Sequence, residues 1–393
     1  MSPLKFSVCG SEREATLMRT FLEPYNTLRP PKERVEVTNI PWEEDKETFT
    51  QMALYNRGDG IAEVGAPIVS DLIAMNALRP FSEVELASLG GTAAFSKIAW
   101  ENANRVVDGQ VWAIPWLVDP RGLLYWRDML AEAGVDEQKA FQSAENLEAA
   151  LIRLQKSGYP SPMSLHIGNT FVTGQASCSW VWGAGGEFFS PDGKQAYVTQ
   201  PAFLEGLQSY FRLAPYLVPE NQSSGLDFFM NRQCAIAYGS MWALSEMIST
   251  PDHPLRSQLG MAVSPGPVYA GGSSLVIWKN THNEQEAVQL IRHLTSREAQ
   301  ASYPLQIEHL PARQEILDQP PFSTDPVLSG FVRLANGGRP FPTIKLGGLL
   351  QTLYCTSIGR IWMRVTNEPE MDLKATLQNE MALLSRRIQT WLD

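Results

Sequence analysis

The sequence predicts an α/β protein built from two lobes. Short apolar segments typical of strands alternate with amphipathic segments typical of helices along the whole chain. Near the N-terminus the order is strand, helix, strand, which favours an α/β layer with parallel strand pairing. With 393 residues the chain is too long for one ordinary domain and suits two, each with its own hydrophobic core.

The first elements can be placed from apolar periodicity and from the residues that interrupt it. Residues 4–8 are predicted to form a strand, and a turn at residues 10–11 leads into a helix. The consecutive prolines at 30–31 end that helix, because proline can neither donate the helical hydrogen bond nor fit the helix interior. Residues 35–39 and 60–64 are the next predicted strands.

The later elements carry turn and capping signals. Ser143 is predicted to cap a helix that runs to about residue 157. Asn283 and Glu286 have the spacing of a capping box ahead of an apolar helical stripe. A long amphipathic helix is expected from Leu373 to Trp391. Asp108–Gly109 is a turn signal, and the further predicted strands are 111–114, 234–238, 259–263 and 274–278.

Charge and hydropathy exclude several classes of partner. Acidic residues outnumber basic ones by 42 to 32, giving a net charge of −10, and no block of Lys or Arg interrupts this excess. Nucleic acid and anionic membrane surfaces are therefore poor partners. No run of about 18 apolar residues predicts a membrane span. The first residues lack a secretion signal, which leaves a cytoplasmic protein or a mature chain with an added Met.

The cysteines do not indicate a metal site. Cys9, Cys178, Cys234 and Cys355 are widely separated and form no CxxC motif, so we expect no zinc and no other metal. They could form two disulfides in any of three pairings or remain four buried thiols, and the thiols are the preferred interpretation.

Catalytic motifs are missing from the sequence. It contains no GxxxxGK[ST] loop, no HExxH and no GxSxG elbow, and its five histidines are dispersed. The glycines of residues 183–186 lack the third glycine of a dinucleotide fingerprint. The acidic run at residues 43–45 is interpreted as a solvated face. We therefore expect no catalytic residues, no cofactor and no enzymatic activity. The paired carboxylates of a glycosidase are the exception, because the distance between them in space cannot be read from the sequence.

Tryptophan gives the more informative signal. The chain has 11 Trp, and several lie in segments beside Gly, Pro or acidic residues that are interpreted as loops. An indole can cover the apolar face of a pyranose, while carboxylates, Arg and amides bond its hydroxyl rim. The alternative for each ring is ordinary core packing, which we prefer for Trp100, Trp126, Trp278, Trp362 and Trp391. The candidates for sugar stacking are Trp42, Trp116, Trp180, Trp182 and Trp242.

Six segments in order resemble segments of one protein family. They are GIAEVGAPIVSDLIAMNALRPF (60–81), VDGQVWAIPWLVDPRGLLY (107–125), RDMLAEAGV (127–135), CAIAYGSMWAL (234–244), GGSSLVIWKNTHNEQEAVQLIRHLTSREAQ (271–300) and HLPAR (309–313). In these segments the chain resembles family 1 of the bacterial extracellular solute-binding proteins, the maltose-binding-like group that serves ABC importers. The resemblance spans nearly the whole chain.

The resemblance implies a type II periplasmic-binding-protein fold, with two α/β lobes joined by several crossings and a ligand cleft between them. Lobe one would comprise 1–116 and 268–318, and lobe two 117–267 and 319–393. The expected ligand is a di- or oligosaccharide or a small glycoside, which would stabilise a closed form read by the permease subunits. We expect a periplasmic or extracellular monomer, with a lipid anchor as one form of attachment.

The resemblance also implies site residues in the first half of the chain. The turn after the first strand supplies Ser11 and Glu12, for which helix capping is the alternative role. The loop after the third strand matches at Gly65 and Ala66, although Pro and Ile replace the Thr-Trp that follows in the family, so the expected aromatic contact is missing there. The first crossing matches at Trp116, Asp119 and Arg121, and for Arg121 a structural ion pair is the alternative.

In the second half, Trp180 and Trp182 lie where family members vary in specificity, and Trp242 matches an aromatic position. Gly271 and Gly272 match backbone that lies against the ligand. Arg339 matches a position that can reach the cleft.

Three other functions remain open at the level of sequence. A polyamine would need several cleft carboxylates, and a glycerophosphodiester would need convergent Arg or Lys. A sensory ligand-binding module would have the same sequence features as a transport receptor. A glycosidase or lyase is the enzymatic alternative.

Overall fold

The computed structural model describes residues 3–104, 109–167, 171–218, 225–263, 265–342, 345–368 and 370–392. Asp108, half of a predicted turn, lies outside these residues. The strands are β1 (Leu4–Cys9), β2 (Val35–Ile40), β3 (Ile61–Gly65), β4 (Leu78–Arg79), β5 (Ile114–Trp126), β6 (Met163–Ser164), β7 (Ile236–Gly239), β8 (Leu259–Ala262), β9 (Tyr269–Trp278) and β10 (Leu310–Pro311).

Helices account for most of the remaining described residues. They are α1 (Glu12–Thr27), α2 (Asp45–Leu54), α3 (Ala66–Ala74), α4 (Glu83–Ser88), α5 (Lys97–Ala103), α6 (Arg127–Glu132), α7 (Glu137–Ala140), α8 (Ala144–Lys156), α9 (Phe171–Gly183), α10 (Pro201–Phe211), α11 (Gly225–Met230), α12 (Ser245–Ser249), α13 (Glu284–Leu294), α14 (Arg297–Gln306), α15 (Gln314–Leu317), α16 (Pro326–Asn336), α17 (Gly347–Asn367) and α18 (Leu373–Leu392). Among the helices of the described residues, none combines the length and apolar character that crossing a membrane requires.

The chain divides into two compact units. Unit 1 consists of Met1–Asp119, Gly271–Asp325 and Thr343–Leu349, and unit 2 of Pro120–Ala270, Pro326–Pro342 and Leu350–Asp393. The chain therefore passes from one unit to the other at five points. The lobe boundaries implied by the family resemblance, with lobe one as 1–116 and 268–318, stay a prediction.

Unit 1 contains a mixed sheet centred on β1 and β3. Strand β1 pairs in parallel with β2, from Leu4 opposite Val35 to Cys9 opposite Ile40, and also in parallel with β3. The other edge of β3 pairs with β9 in antiparallel orientation. Because β1, β2 and β3 run in the same direction, their carboxyl ends lie at one edge of the sheet, where open α/β sheets commonly bind ligands.

The N-terminal predictions for unit 1 are confirmed, since β1, α1, β2 and β3 occur where apolar periodicity placed them. Helix α1 begins with a complete capping box formed by Ser11 and Glu14. It ends at Thr27, ahead of the two prolines. Its buried residues, Ala15, Met18, Leu22 and Tyr25, form the stripe that packs against the sheet.

Unit 2 has its own sheet, in which the C-terminal half of β5 pairs in antiparallel orientation with both β7 and β8. Strand β6 adds to β7 in parallel. An aromatic core stands beside this sheet: the Trp180 ring lies 5.1 Å from Tyr210, which in turn lies 5.4 Å from Trp362. Large buried rings on several helices thus supply much of the apolar area of this unit.

Several local predictions were wrong. Trp180 and Trp182 lie within α9, not in a loop, and this helix is buried on nearly every side. Trp116 lies inside β5. Helix α13 begins as expected, but the Asn283 side chain makes no capping hydrogen bond to it, so the predicted capping box does not form. All four cysteines are buried free thiols, which confirms the preferred interpretation.

The packing of α9 on α10 depends on a glycine. A methyl group at Gly206 would lie 2.5 Å from the Val181 Cα and 2.6 Å from the Trp180 carbonyl oxygen. These are backbone atoms of α9, which cannot move without displacing the whole helix. The absence of a side chain at Gly206 therefore sets how closely the two helices approach.

We expect Gly206→Ala to lower the free energy of unfolding by about 1–3 kcal/mol, because the added methyl overpacks the helix contact. Gly337→Ala is the matched control, since its methyl would lie 3.6 Å from the nearest atom, the Arg333 carbonyl oxygen, an ordinary contact distance. Denaturant titration followed by circular dichroism measures both variants. Equal stability of the two would contradict this account of the helix contact.

Candidate functional site

The carboxyl edge of the parallel strands in unit 1 brings together an indole, a glycine and a carboxylate. A methyl group at Gly65, the last residue of β3, would lie 3.7 Å from Cζ3 of Trp42 and 3.9 Å from Oδ2 of Asp45. The Trp42 side chain is 37% exposed, whereas Asp45, the first residue of α2, is buried. The expected loop after β3 is absent, since α3 begins at Ala66 directly after the strand. We call Trp42, Asp45, Glu63 and Gly65 the edge cluster.

Glu63 lies fully buried within β3, behind the edge. Its Oε2 accepts a hydrogen bond from the Cys9 backbone N–H at 3.0 Å, and its Oε1 accepts one from Ser273 Oγ at 2.7 Å. Burial penalises the charged carboxylate and raises the pKa of Glu63 to about 8, although both hydrogen bonds oppose that shift. At neutral pH the protonated, uncharged acid therefore predominates.

Asp45 has a similar electrostatic environment. Burial raises its pKa to about 7, against the opposing effects of the Lys46 backbone N–H and the Lys46 ammonium group. The Lys46 ammonium itself donates to the Gly348 carbonyl at 3.0 Å. The interpretation of residues 43–45 as a solvated face was therefore wrong for Asp45, while Glu43 and Glu44 are exposed.

Ser11 and Glu12 occupy the start of α1, where the structure gives both a local role. Ser11 Oγ accepts from the Arg13 N–H at 3.2 Å, and the Ser11 N–H donates to Glu14 Oε2 at 2.8 Å. Glu12 forms an exposed ion pair with Arg19. These contacts fit the capping alternative, and the ligand roles of Ser11 and Glu12 stay predictions.

Two of the residues predicted from the first crossing, Trp116 and Asp119, lie in a packed environment within unit 1. Trp116 is 1% exposed; its ring stacks on Tyr303 at 5.5 Å and 8° and also contacts Phe6 at 5.8 Å. Asp119 is buried in the same strand. A ligand role for Trp116 requires that its ring be uncovered, so it stays a prediction that this packing does not favour.

The double glycine of β9 has a structural reason of its own. Gly272 has φ of 140°, a backbone conformation that favours glycine. A methyl group there would lie 2.1 Å from the Leu117 carbonyl oxygen, so β9 approaches β5 too closely for a side chain. Gly271 is buried beside it. Contact of either glycine with a ligand remains a prediction.

In unit 2, Arg121 takes part in a polar group that the sequence did not reveal. Its Nη1 donates to Gln175 Oε1 at 2.5 Å, and Gln175 Nε2 donates to the Tyr269 hydroxyl at 3.1 Å. The Arg121 guanidinium carbon also lies 5.7 Å from the centroid of the Tyr269 ring. The arrangement orients the guanidinium through a buried, neutral amide, and both the ion-pair alternative and the ligand role of Arg121 stay predictions.

A second polar group of unit 2 contains Trp182 and Arg339. The Arg339 guanidinium carbon lies 4.8 Å from the centroid of the Trp182 ring. The two terminal nitrogens of the same guanidinium form a two-point ion pair with Glu187. Trp180 is buried against Tyr210 and Tyr238 and has the environment of a core residue. Trp242, in a short 3-10 helix, is 39% exposed.

The structure thus brings together two predicted pairs, Trp42 with Gly65 and Trp182 with Arg339. Asp45, Glu63, Gln175 and Glu187 were missed. Glu63 had a usable signal, because a single acid inside an otherwise apolar strand needs buried partners. Gln175 and Glu187 had none, since their partners are distant in sequence. Asp45 had none because it belongs to a run of acidic residues of the kind that is usually exposed. Across the described ranges no three potential metal-ligating side chains converge.

The raised pKa of Glu63 makes stability depend on pH. Its folded pKa of about 8 exceeds the ordinary value of 4.5, so between these values the folded state binds the extra proton. Stability should therefore fall as pH rises from about 5 to about 8, by about 1.4 kcal/mol for each unit of pKa difference. We expect Glu63→Gln to flatten this dependence, because its amide oxygen can accept from the Cys9 N–H while its NH2 group donates to Ser273 Oγ.

Melting temperatures of the parent and Glu63→Gln between pH 5 and 9 measure this effect. Glu12→Gln is the control, because it makes the same change of side chain at an exposed position. Parallel profiles for all three proteins would show that burial of Glu63 does not control stability.

Trp116→Ala is expected to lower the free energy of unfolding by about 3–5 kcal/mol, because it leaves a cavity beside Tyr303. Trp42→Ala, at a partly exposed ring, should cost less than about 1 kcal/mol. Denaturant unfolding compares the two variants. A stable Trp116→Ala protein would overturn the core assignment and restore Trp116 as a ligand candidate.

Comparison with known proteins identifies the family. Residues 24–329 match the sequence profile of the family described as bacterial extracellular solute-binding protein. A maltotriose-binding protein of Pyrococcus abyssi (strain GE5 / Orsay) is 24% identical over 157 residues, which are 37% of this chain and 34% of that protein. The match to this relative thus spans about a third of its length.

Solved structures share the fold. Maltose-bound MalE3 of T. maritima aligns with a TM-score of 0.83 at 16% identity and 100% coverage of both chains. The sugar-binding protein MalE from the phytopathogen Xanthomonas citri has a TM-score of 0.82 at 20% identity, covering 99% of this chain and 98% of its own. The GacH receptor of Streptomyces glaucescens GLA.O has a TM-score of 0.81 at 17% identity, covering 98% and 99%. These likenesses confirm the predicted periplasmic-binding-protein fold, and the profile match shows that the chain belongs to the family of bacterial extracellular solute-binding proteins.

Proposed function

We propose that this protein is the substrate-binding component of an ABC importer that captures a di- or oligosaccharide or a small glycoside and delivers it to permease subunits. It would act outside the cytoplasmic membrane, free or held by a lipid anchor. The observation that carries the proposal is the edge cluster, where a partly exposed indole stands beside a buried acid at the carboxyl edge of parallel strands.

The chemistry of the edge cluster suits a neutral, hydroxylated ligand. The Trp42 indole offers an apolar face of the kind that covers the C–H face of a pyranose. Asp45 lies within reach of the same glycine, and its pKa of about 7 lets it exist as an acid or a carboxylate near neutral pH. A protonated carboxyl both donates and accepts hydrogen bonds, as a sugar hydroxyl requires of its partner.

The relatives support the same class of ligand. A relative is named as maltotriose-binding, and solved structures of the fold hold maltose, acarbose and alpha-D-tagatose. The identities are low, so these names support a sugar as cargo without selecting one. For a permease to read occupancy, the sugar must bind one conformation of the protein better than another.

A cationic cargo such as a polyamine is the second candidate, because the edge cluster holds two carboxyls. Burial raises the pKa of both Asp45 and Glu63, which is the opposite of the shift that a cation-binding cage would need before ligand entry. A polyamine would have to supply the compensating charge itself. The raised pKa values therefore favour the sugar over the amine.

A thermal-shift screen is the decisive experiment. Maltose, maltotriose, acarbose, tagatose and mannitol would be compared with polyamines and glycerophosphodiesters. A ligand at a hundredfold its dissociation constant adds about 2.7 kcal/mol of stability, so we expect a clear rise in melting temperature with one class of sugar. Trp42→Ala should weaken binding of that sugar by about 0.5–1.5 kcal/mol in calorimetry.

Val84→Ala, at an exposed position of α4, is the matched control for binding. A shift with polyamines or phosphodiesters alone would replace the sugar by that cargo. Release of hydrolysis products from the bound sugar would contradict a pure binding role and support the glycosidase alternative. If a sugar stabilises the protein but Trp42→Ala binds it with unchanged affinity, the sugar binds somewhere other than the edge cluster.

A further inference from the structure

We propose that the Arg339–Glu187 ion pair is a displaceable cap on the Trp182 indole, and that a pyranose ring of the ligand takes the place of the guanidinium. This inference rests on the proposed carbohydrate function and adds a second stacking surface, within unit 2. It assigns Trp182 as the ligand-contacting ring and Arg339 as the group that covers it when no ligand is bound.

The geometry of the cap involves only side chains of unit 2. The Arg339 guanidinium carbon lies 4.8 Å from the centroid of the Trp182 ring. Arg339 Nη1 and Nη2 donate to Glu187 Oε1 and Oε2 at 2.9 and 2.8 Å, a two-point pairing that holds the guanidinium in one orientation. The flat cation therefore occupies the kind of position in which a sugar ring would stack on an indole.

The ring beneath the cap has unmet hydrogen-bonding capacity. Trp182 is 5% exposed, and its buried Nε1 makes no hydrogen bond to any part of the chain that the structure describes. A buried donor without a partner is uncommon in native proteins and needs an explanation. A ligand hydroxyl at the edge of the indole could accept a hydrogen bond from this N–H.

The cap can open without refolding. Its two side chains are 39% and 48% exposed, and ion pairs so accessible to water contribute little to stability. The Arg339 backbone is fixed separately, because its N–H donates to the Val268 carbonyl at 2.8 Å and its carbonyl accepts from the Ala270 N–H at 2.9 Å. Rotation of the Arg339 side chain alone is therefore sufficient to uncover the indole.

Hydroxyl-radical footprinting with residue-level mass spectrometry tests the cap without any ligand. Both Glu187→Gln, which releases the guanidinium, and Arg339→Ala, which removes it, should increase oxidation of Trp182 severalfold. Trp180 is the internal reference, because the aromatic core covers it independently of Arg339. Arg364→Ala is the matched control, since it removes a similarly exposed Arg–Glu pair of α17. Unchanged oxidation of Trp182 in both variants would overturn the cap.

The second measurement uses maltotriose as the probe, or the sugar that gives the largest shift in the thermal screen if maltotriose gives none. We expect this sugar to protect Trp182 from oxidation in the parent protein. Arg339→Ala should bind it severalfold more tightly in calorimetry, because the ligand no longer has to displace the ion pair. Weaker binding by Arg339→Ala would make Arg339 a direct ligand contact and refute the cap.

The two proposals fail in distinguishable ways. If no sugar stabilises the protein, the carbohydrate function and the replacement of the guanidinium fail together. If a sugar stabilises the protein but leaves the oxidation of Trp182 unchanged, the carbohydrate function stands and only this inference is refuted.

Discussion

The architecture of the candidate site in unit 1 depends on one buried carboxyl group. Glu63 joins three strands, because it lies in β3, accepts the Cys9 N–H at the end of β1 and accepts the Ser273 hydroxyl in β9. The Cys9 thiol also donates a hydrogen bond to the backbone carbonyl oxygen of Glu63 at 3.2 Å. A buried acid that satisfies its neighbours in this way is costly to ionise and costly to remove. These bonds hold β1, β3 and β9 together, and β2, which leads to Trp42, pairs with β1 up to Ile40 opposite Cys9.

Glycine has the corresponding role in unit 2, where close backbone approach positions the polar groups. Gly183 meets the Pro265 carbonyl and Gly206 meets the backbone of α9, so α9 lies against its neighbours with no room for a methyl group at either position. This helix carries Gln175 and Trp182 seven residues apart, about two helical turns, which places them on one face. The close backbone contacts at Gly183 and Gly206 thus fix where α9 lies, and with it the position of the face that meets Arg121 and Arg339.

Sequence reasoning succeeded where periodicity is strong and failed where burial is complete. Helices α1 and α13 have one apolar face each, so a 3.6-residue stripe located them, whereas β1, buried at five of its six residues, was located as a short apolar run. Helix α9 is buried all round, and a helix without a polar face has no stripe to detect. Trp180 and Trp182 were placed in a loop for that reason, and because glycines follow them. The family resemblance supplied what periodicity could not, namely the α/β fold of a periplasmic binding protein.

The candidate site was harder to predict, because its chemistry depends on burial and not on residue type. Asp45 belongs to a run of three acids, and its sequence neighbours Glu43 and Glu44 are exposed, as the composition of the run indicates. Only the position of Asp45 at the first turn of α2, beside β3, buries it and raises its pKa.

The same burial narrows the chemistry of the ligand. Burial disfavours the charged forms of Asp45 and Glu63. A protonated carboxyl pairs well with a ligand hydroxyl, because each group can both donate and accept a hydrogen bond. A cation is attracted strongly only by the deprotonated carboxylate, which is the form that burial disfavours. The Trp42 indole stacks best on an apolar surface, and the buried carboxyls bind best to uncharged hydrogen-bonding groups. A neutral molecule with one C–H face and a polar rim meets both requirements.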